Sequence, residues 1–184
     1  MPSTRKAAAI GVPIVVLLLL GFFGAAYLLS AALGLPQSLG LPTAVRVGGG
    51  ILVVAGTTLA AWMFASRKPS DVVVSTYITF SKLFKRVSFA ERAGRTEPLV
   101  VSGPQKYVRS PLYLGVIVMV LGWAVLSTST FVFLGTLILL FWFGAVLIPF
   151  EEKELKTLFG DEWVGYAEGT PMLIPFTKRK KPPS

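Results

Sequence analysis

Four apolar stretches, broken by one long polar interval, set the pattern of this 184-residue chain. The first runs from Ile10 to about Leu33 without a charge. At about 1.5 Å per residue it is long enough to cross the hydrocarbon core of a bilayer with some tilt. It also exceeds the about 7–15 apolar residues of a cleaved signal peptide, so a retained helix is expected. The second stretch runs from Gly48 to Ala65 after a weakly charged turn, Gly34 to Val47. Gly48, Gly49 and Gly50 either allow close helix approach or simply loosen the helix end, and the second is expected because glycine is common in membrane helices. The third and fourth stretches, Pro111 to about Leu126 and Thr130 to about Phe150, are separated only by Ser127, Thr128 and Ser129. So short a turn predicts an antiparallel helical hairpin. The third span is only about 24 Å long, which predicts little tilt.

The polar interval, Ser66 to Ser110, holds nine Lys or Arg residues against Asp71, Glu91 and Glu97. Within it Val73, Tyr77, Phe80, Phe84 and Val87 recur at steps of four and three, while Lys82, Lys85 and Arg86 fall elsewhere on the helical wheel. That spacing predicts an interfacial amphipathic helix. The β-branched run from Val72 to Thr79 also fits an ordinary packed helix or a short strand. Basic residues number two, one, nine, none and six from the N-terminal flank to the C-terminal tail. Four spans with both termini inside leave seventeen of the eighteen on one side, the pattern expected of a chain oriented by its positive loops.

Composition agrees with the pattern. The chain is 53% hydrophobic and 15% charged, with a mean hydropathy of +0.69. The fold class expected is all-α integral membrane, with about four transmembrane helices, interfacial helices and a cytosolic C-terminal cap. Three regions follow: 1–65, the N-terminal transmembrane helices; 66–110, the basic cytosolic loop; and 111–184, the transmembrane hairpin with its C-terminal region. The net charge of +9 is confined to segments flanking apolar runs, which favours anionic lipid over nucleic acid as its partner. The final KRKKPPS is expected to be solvated or bound to headgroups. With no cysteine and no histidine, thiolate catalysis, imidazole bases, His haem ligation and Cys/His zinc sites are excluded, and no metal centre is expected.

Two clusters carry the remaining chemistry. Gly103 to Gly115, GPQKYVRSPLYLG, turns from a basic loop into a membrane helix, with Pro111 suited to the first helical turn. It brings a cation (Arg109), a phenol (Tyr113) and bare backbone (Gly115) to the membrane surface. The fourth span ends in Glu151, Glu152, Lys153 and Glu154, followed by Phe159-Gly160. The hairpin predicts that this acidic end meets Arg109. Carboxylates at a positive-inside boundary suggest function, although solvated charges paired with Lys153 and Lys156 would look the same in sequence. Beyond Gly160, Asp161 is suited to cap a short helix ending at Gly169, with Tyr166 suited to a lid and Trp163 expected to anchor at the interface.

These residues resemble the integral-membrane methyltransferases that include isoprenylcysteine carboxyl methyltransferase and the phospholipid N-methyltransferases. Gly103-Pro104, Tyr107, Arg109, Pro111, Tyr113 and Gly115 look like the first family signature. Glu151-Glu152, Leu155, Phe159-Gly160, Trp163, Tyr166 and Pro175 are similar to the second. The resemblance covers about Leu99 to Phe176. It implies S-adenosylmethionine bound at the cytosolic membrane face, with Gly103, Tyr107, Arg109, Tyr113, Gly115 and Glu152 as cofactor-binding residues and Arg109, Glu151 and Glu152 as catalytic ones. The methyl acceptor implied is a lipid or lipid-linked amine or carboxylate. An amine must lose a proton, for which Glu151 or Glu152 is the candidate base, whereas a carboxylate needs none.

No glycine-rich strand-to-helix loop of the Rossmann type is present, so a cofactor site here is built from helix ends and loops. Two positions depart from the family pattern. Ser110 stands where many relatives have His, and the arginine that precedes the paired acids in isoprenylcysteine enzymes is absent from Val146 to Phe150. These departures leave a second reading, a non-catalytic membrane protein that keeps the fold as a binding or assembly module. A small transporter is disfavoured by the near absence of mid-span charge. The location expected is the cell membrane, multi-pass, with both termini cytosolic; the sequence does not fix the oligomeric state.

Overall fold

The structure, a computed structural model, describes residues 4–67, 69–85, 99, 101–175 and 177. Seven α-helices follow one another among the described residues: α1 Thr4–Ala32, α2 Thr43–Ser66, α3 Pro69–Lys85, α4 Pro111–Ser127, α5 Thr130–Trp142, α6 Ile148–Phe159 and α7 Asp161–Gly169. A 3₁₀ turn, Gly103–Lys106, precedes α4, and a π turn, Phe143–Leu147, joins α5 to α6. The all-α membrane architecture expected from the apolar pattern is what the chain adopts. Three helical stretches are long and apolar enough to cross a membrane: Ala9–Ala32, Thr43–Ser66 and Thr130–Phe159. The remaining expected span is α4, apolar throughout but only 17 residues long.

Two compact units divide the chain, one formed by the described residues of 12–61 and 112–146, the other by those of 1–11, 62–111 and 147–184. The first is an apolar helical bundle. Its loops are stitched together at one end: Leu39 N–H donates to the Thr128 carbonyl at 2.8 Å, and Thr130 N–H donates to the Gln37 carbonyl at 3.1 Å. Thr128 takes a positive φ of 55°, rare for a non-glycine residue. Its carbonyl and its hydroxyl, 3.0 Å from Ser38 Oγ, are both engaged there, which holds the turn. Arg46 Nε donates to the Leu126 carbonyl at 3.4 Å, a cation at the C-terminal end of a helix.

Close backbone contact joins α2 to α4. A Cβ on Gly49 would lie 2.8 Å from the Leu126 nitrogen, and one on Gly122 would lie 2.7 Å from the Gly49 carbonyl oxygen. One helical repeat further, a Cβ on Gly56 would lie 2.6 Å from the Gly115 carbonyl oxygen. These separations are below any that real Cβ atoms adopt, so only glycine permits the crossing. Of the two readings of Gly48 to Gly50, the less expected one, close helix approach, holds at one position. Gly49 is a contact point, while Gly48 and Gly50 have open space beside them. Pattern alone cannot tell which of three adjacent glycines faces a neighbour. On the other side of the bundle, the Phe23 ring of α1 covers Gly135 of α5, and Tyr27 meets Phe131 edge-on with centroids 5.8 Å apart.

The second unit holds α3, the 3₁₀ turn, α6, α7 and the end of α2. Its α3 is the packed helix that the run from Val72 to Thr79 also allows: Phe80 is buried, and Val73 and Tyr77 are half-buried against Val74 and Ile78. The burial extends further round the helix than the apolar spacing predicts, to Val72, Ser75, Thr79 and Lys82. Lys82 retains only 5% of its surface, whereas the helical wheel had turned it to solvent. An acidic partner reverses the expectation, as the site geometry shows. The predicted continuation of this helix to Val87, and the basic KRKKPPS tail, lie outside the described residues.

Candidate functional site

Local structure positions Arg109 before any long-range contact does. Gly103 has φ +62°, and a Cβ there would lie 2.7 Å from Ser66 Oγ at the end of α2. Both facts require glycine at the head of the 3₁₀ turn. Tyr107 and Val108 then donate their N–H groups to the Pro104 carbonyl, at 3.1 and 3.3 Å. Val108 is buried, and the next two residues pair with the segment after α7: Arg109 N–H with the Pro171 carbonyl at 2.9 Å, Ser110 N–H with the Met172 carbonyl at 3.2 Å. The backbone on both sides of the arginine is therefore fixed.

From that fixed backbone Arg109 Nη2 reaches Glu152 Oε1 of α6 at 2.9 Å. The guanidinium side chain is 4% exposed and the carboxylate side chain 28%. Oε1 accepts no hydrogen bond among the described residues despite the short distance. The contact at that oxygen is thus an ion pair by proximity, with acceptor capacity unspent. The guanidinium also stands 5.7 Å from the centroid of the Trp163 ring, within cation–π range. Trp163 is 5% exposed, which corrects its expected role as an interfacial anchor. Its indole is enclosed within the unit, against a cation the sequence had assigned to a different cluster.

Tyr166 completes this side. Its hydroxyl donates to the Gln105 carbonyl at 2.7 Å, and its ring lies 5.5 Å from that of Trp163. Burial pushes the phenol up to about 12 and outweighs the opposing pull of the Arg109 charge, so Tyr166 is a neutral donor at physiological pH. The helix carrying both rings, α7, is preceded by Gly160 at φ 54° and has no side-chain cap. Asp161, the expected cap, is instead the first helical residue, where its charge still favours the helix N-terminus.

A second pair, not foreseen from sequence, lies in the same unit. Lys82 Nζ of α3 donates to Glu154 Oε1 of α6 at 2.8 Å, and Thr79 Oγ1 lies 3.4 Å from Glu154 Oε2. Glu154 is completely buried. The sequence leaves it either a member of a functional acid cluster or a solvated boundary charge near Lys153 and Lys156. A signal was present in Ser75, Thr79 and Lys82, polar residues at steps of four and three on one face of an otherwise apolar helix.

The remaining predicted residues are distributed as follows. Glu151 is half-buried on α6. Tyr107 is half-exposed, with its ring 6.0 Å from that of Trp62. Tyr113 and Gly115 belong to the apolar bundle. The Tyr113 ring lies 5.4 Å from Phe143, and the position a Gly115 Cβ would take is 3.1 Å from the Ala60 nitrogen and the Gly56 carbonyl oxygen. A side chain at 115 would therefore be tight against α2.

A chain with this all-helical membrane fold, an arginine–glutamate pair at helix ends and both sequence blocks in order has known relatives. Residues 44–162 match the family described as phospholipid methyltransferase, and the chain belongs to that family. Among curated proteins it is similar to protein-S-isoprenylcysteine O-methyltransferase B of Arabidopsis thaliana, with 32% identity over 78 residues. That match covers 42% of this chain and 40% of the Arabidopsis protein, so it spans less than half the length of either. No solved structure matches the chain. The family match ends before Trp163, whose ring lies against Arg109, and Tyr166, whose ring lies against Trp163.

Proposed function

We propose that this protein is an S-adenosylmethionine-dependent methyltransferase of the cell membrane, working at the cytosolic face on a lipid or lipid-linked amine or carboxylate. The observation that carries this reading is the Arg109–Glu152 pair. A buried cation and a carboxylate with unspent acceptor capacity, side by side, form the complement of an amino-acid zwitterion such as the methionyl end of this cofactor. Arg109 suits its carboxylate, and Glu152 suits its ammonium or sulfonium charge. Gly103 and Tyr107, on the same turn, are assigned to the rim of the site.

When bound, the cofactor supplies a methyl group on a cationic sulfur, ready for in-line displacement. The residues act on what surrounds that step. Arg109, fixed by its backbone bonds to Pro171 and by the Trp163 ring, holds orientation, which contributes most when the reacting atoms need close alignment. Trp163 and Tyr166 keep water from the guanidinium. For an amine acceptor Glu151 or Glu152 receives the proton at a carboxylate oxygen; for a carboxylate acceptor neither is needed as a base.

Titration of the detergent-solubilised chain with S-adenosylmethionine tests this directly. Cofactor at about a hundred times its dissociation constant stabilises the fold by about 2.7 kcal/mol, a readily measured rise in Tm. Glu152→Gln is expected to weaken binding about tenfold or more. An unchanged Tm at saturating cofactor would overturn the reading. The alternative, a non-catalytic module, draws on Ser110, whose N–H is held by Met172 and whose side chain offers no ring nitrogen. Sustained methyl transfer into a mixed lipid extract would eliminate it.

A further inference from the structure

Of the Arg109–Glu152 and Lys82–Glu154 pairs of the second unit, only the first has a place in the proposed chemistry. The other, Lys82–Glu154, is the more deeply buried, with side-chain exposures of 7% and 0%. A buried ion pair is a poor device for stability, because the desolvation of both charges offsets most of their attraction, and apolar replacements of similar volume are often as stable. Its retention in so apolar a chain calls for a role that an apolar pair would not fill. Direction is such a role: an ion pair is satisfied in one rotational setting of a helix, whereas leucine and methionine pack acceptably in several.

The helix it grips is one whose rotation is weakly fixed by its own backbone. Upstream of α6 lies the π turn Phe143–Leu147, followed by Pro149 within the first turn. Proline contributes no N–H to the ladder, and a π turn displaces the ordinary i to i−4 pairing. Glu152 and Glu154 are two residues apart on α6, which places them about 200° apart around the helix, on nearly opposite sides. Glu154 is held by Lys82 and neighboured by Thr79, and Glu152 faces Arg109.

We propose that the Lys82–Glu154 pair is a positioning device that fixes the rotation of α6 about its axis, so that Glu152 is presented to Arg109. Lys82 and Glu154 touch no substrate in this scheme. They act through Glu152, and the functional consequence rests on the assignment of Arg109 and Glu152 to cofactor binding. The rotational setting itself does not depend on that assignment.

The absence of cysteine from the chain makes the setting measurable. Single cysteines replacing Lys153, Leu155, Thr157 and Leu158 are to be introduced into the wild-type chain and into Lys82→Met/Glu154→Leu, then labelled with a maleimide in detergent. In the wild type, exposed positions 153 and 157 are expected to label about tenfold faster than half-buried 155 and 158. In the double variant that contrast is expected to fall to about threefold or less while the helical circular-dichroism signal is retained. An unchanged labelling pattern overturns the proposal. Should the double variant not fold, Lys82→Met/Glu154→Gln, which keeps the shape of the acid, replaces it. Failure of both to fold also overturns the proposal, since the pair would then be a requirement for folding.

A second arm measures S-adenosylhomocysteine affinity through a double-mutant cycle. Glu152→Gln is expected to cost about tenfold in the wild type and about twofold or less in the double variant, because a misdirected Glu152 has little left to lose. Equal costs in the two backgrounds overturn the positioning role. If the wild type binds no S-adenosylhomocysteine, the function proposed above fails, and the labelling pattern alone still decides the rotational setting.

Discussion

Arg109 gains its character from neighbours that are far away in sequence. Its guanidinium lies between a carboxylate 43 positions later and an indole 54 positions later, while its N–H is held by Pro171. The short Ser127-Thr128-Ser129 turn required a hairpin, which brought the acidic end of the fourth span, Glu151 and Glu152 together, back toward Arg109. Sequence reasoning placed Trp163 in the wrong surroundings, since an indole beside a membrane is as suited to the interface as to the interior. Tyr166 yields a prediction at this scale. Its folded pKa of about 12 exceeds the usual 10.0, so the folded state binds this proton more tightly than the unfolded state does. The sign follows: the contribution is fully present below pH 10 and is lost as pH rises from 10 toward about 12. Phenolate absorbance titration of wild type and Tyr166→Phe is expected to differ by one tyrosine titrating near 12, and the alkaline fall in Tm is expected to be shallower in the variant. Loss of that hydroxyl also removes the bond to the Gln105 carbonyl, a cost of about 1 kcal/mol at neutral pH.

Helix pairing in the apolar bundle depends on backbone proximity more than on side-chain identity. Lipid tails are as apolar as leucine, so burial of leucine provides no force drawing membrane helices together, and close contact must come from small residues. Gly49 with Gly122 and Gly56 with Gly115 provide it. Gly56→Ala places its methyl within 2.6 Å of a backbone oxygen that cannot step aside, and is expected to destabilise the bundle by about 1–3 kcal/mol. Gly48→Ala, into open space on the same helix, is expected to be neutral or to stabilise by about 0.5–1 kcal/mol. Thermal unfolding of the two variants in one detergent separates the contact glycine from the free one. The π turn is the corresponding feature of the other helix pair. It lies just ahead of Pro149, and turns of this kind recur where a helix must re-aim its side chains at a functional site.

For the molecule as a whole, seventeen of eighteen basic residues fall in segments that four spans would place on one side. The loop after α1 and the turn after α4 are hydrogen-bonded to each other, so these two connections lie at the same end of the bundle. The basic-residue asymmetry predicts that this end faces away from the cytosol. A cysteine at Gln37 is therefore expected to react with an impermeant maleimide in intact cells, whereas one at Lys156 is expected to react only after the membrane is permeabilised. The opposite pattern would reverse the orientation and remove the cytosolic site from the proposed function.

Much of this architecture is carried by the sequence itself. Long uncharged runs can satisfy their backbone in lipid only as helices, and a three-residue connection leaves consecutive helices no arrangement but an antiparallel one. That reasoning defined the helices, their hairpin and the approach of the acidic end to Arg109; which acid pairs with it was left to the fold. It reached α3 only in part, where the apolar residues at steps of four and three suggested one buried face and the chain also buries Ser75, Thr79 and Lys82. A helical wheel assigns a lysine to solvent because an isolated buried charge is prohibitive, and it has no knowledge of a carboxylate waiting on a helix 72 residues away. Nor can it choose which glycine in a row touches a neighbour. Both outcomes depend on the rotation of one helix against another, a quantity that local periodicity leaves free and that tertiary contacts alone decide.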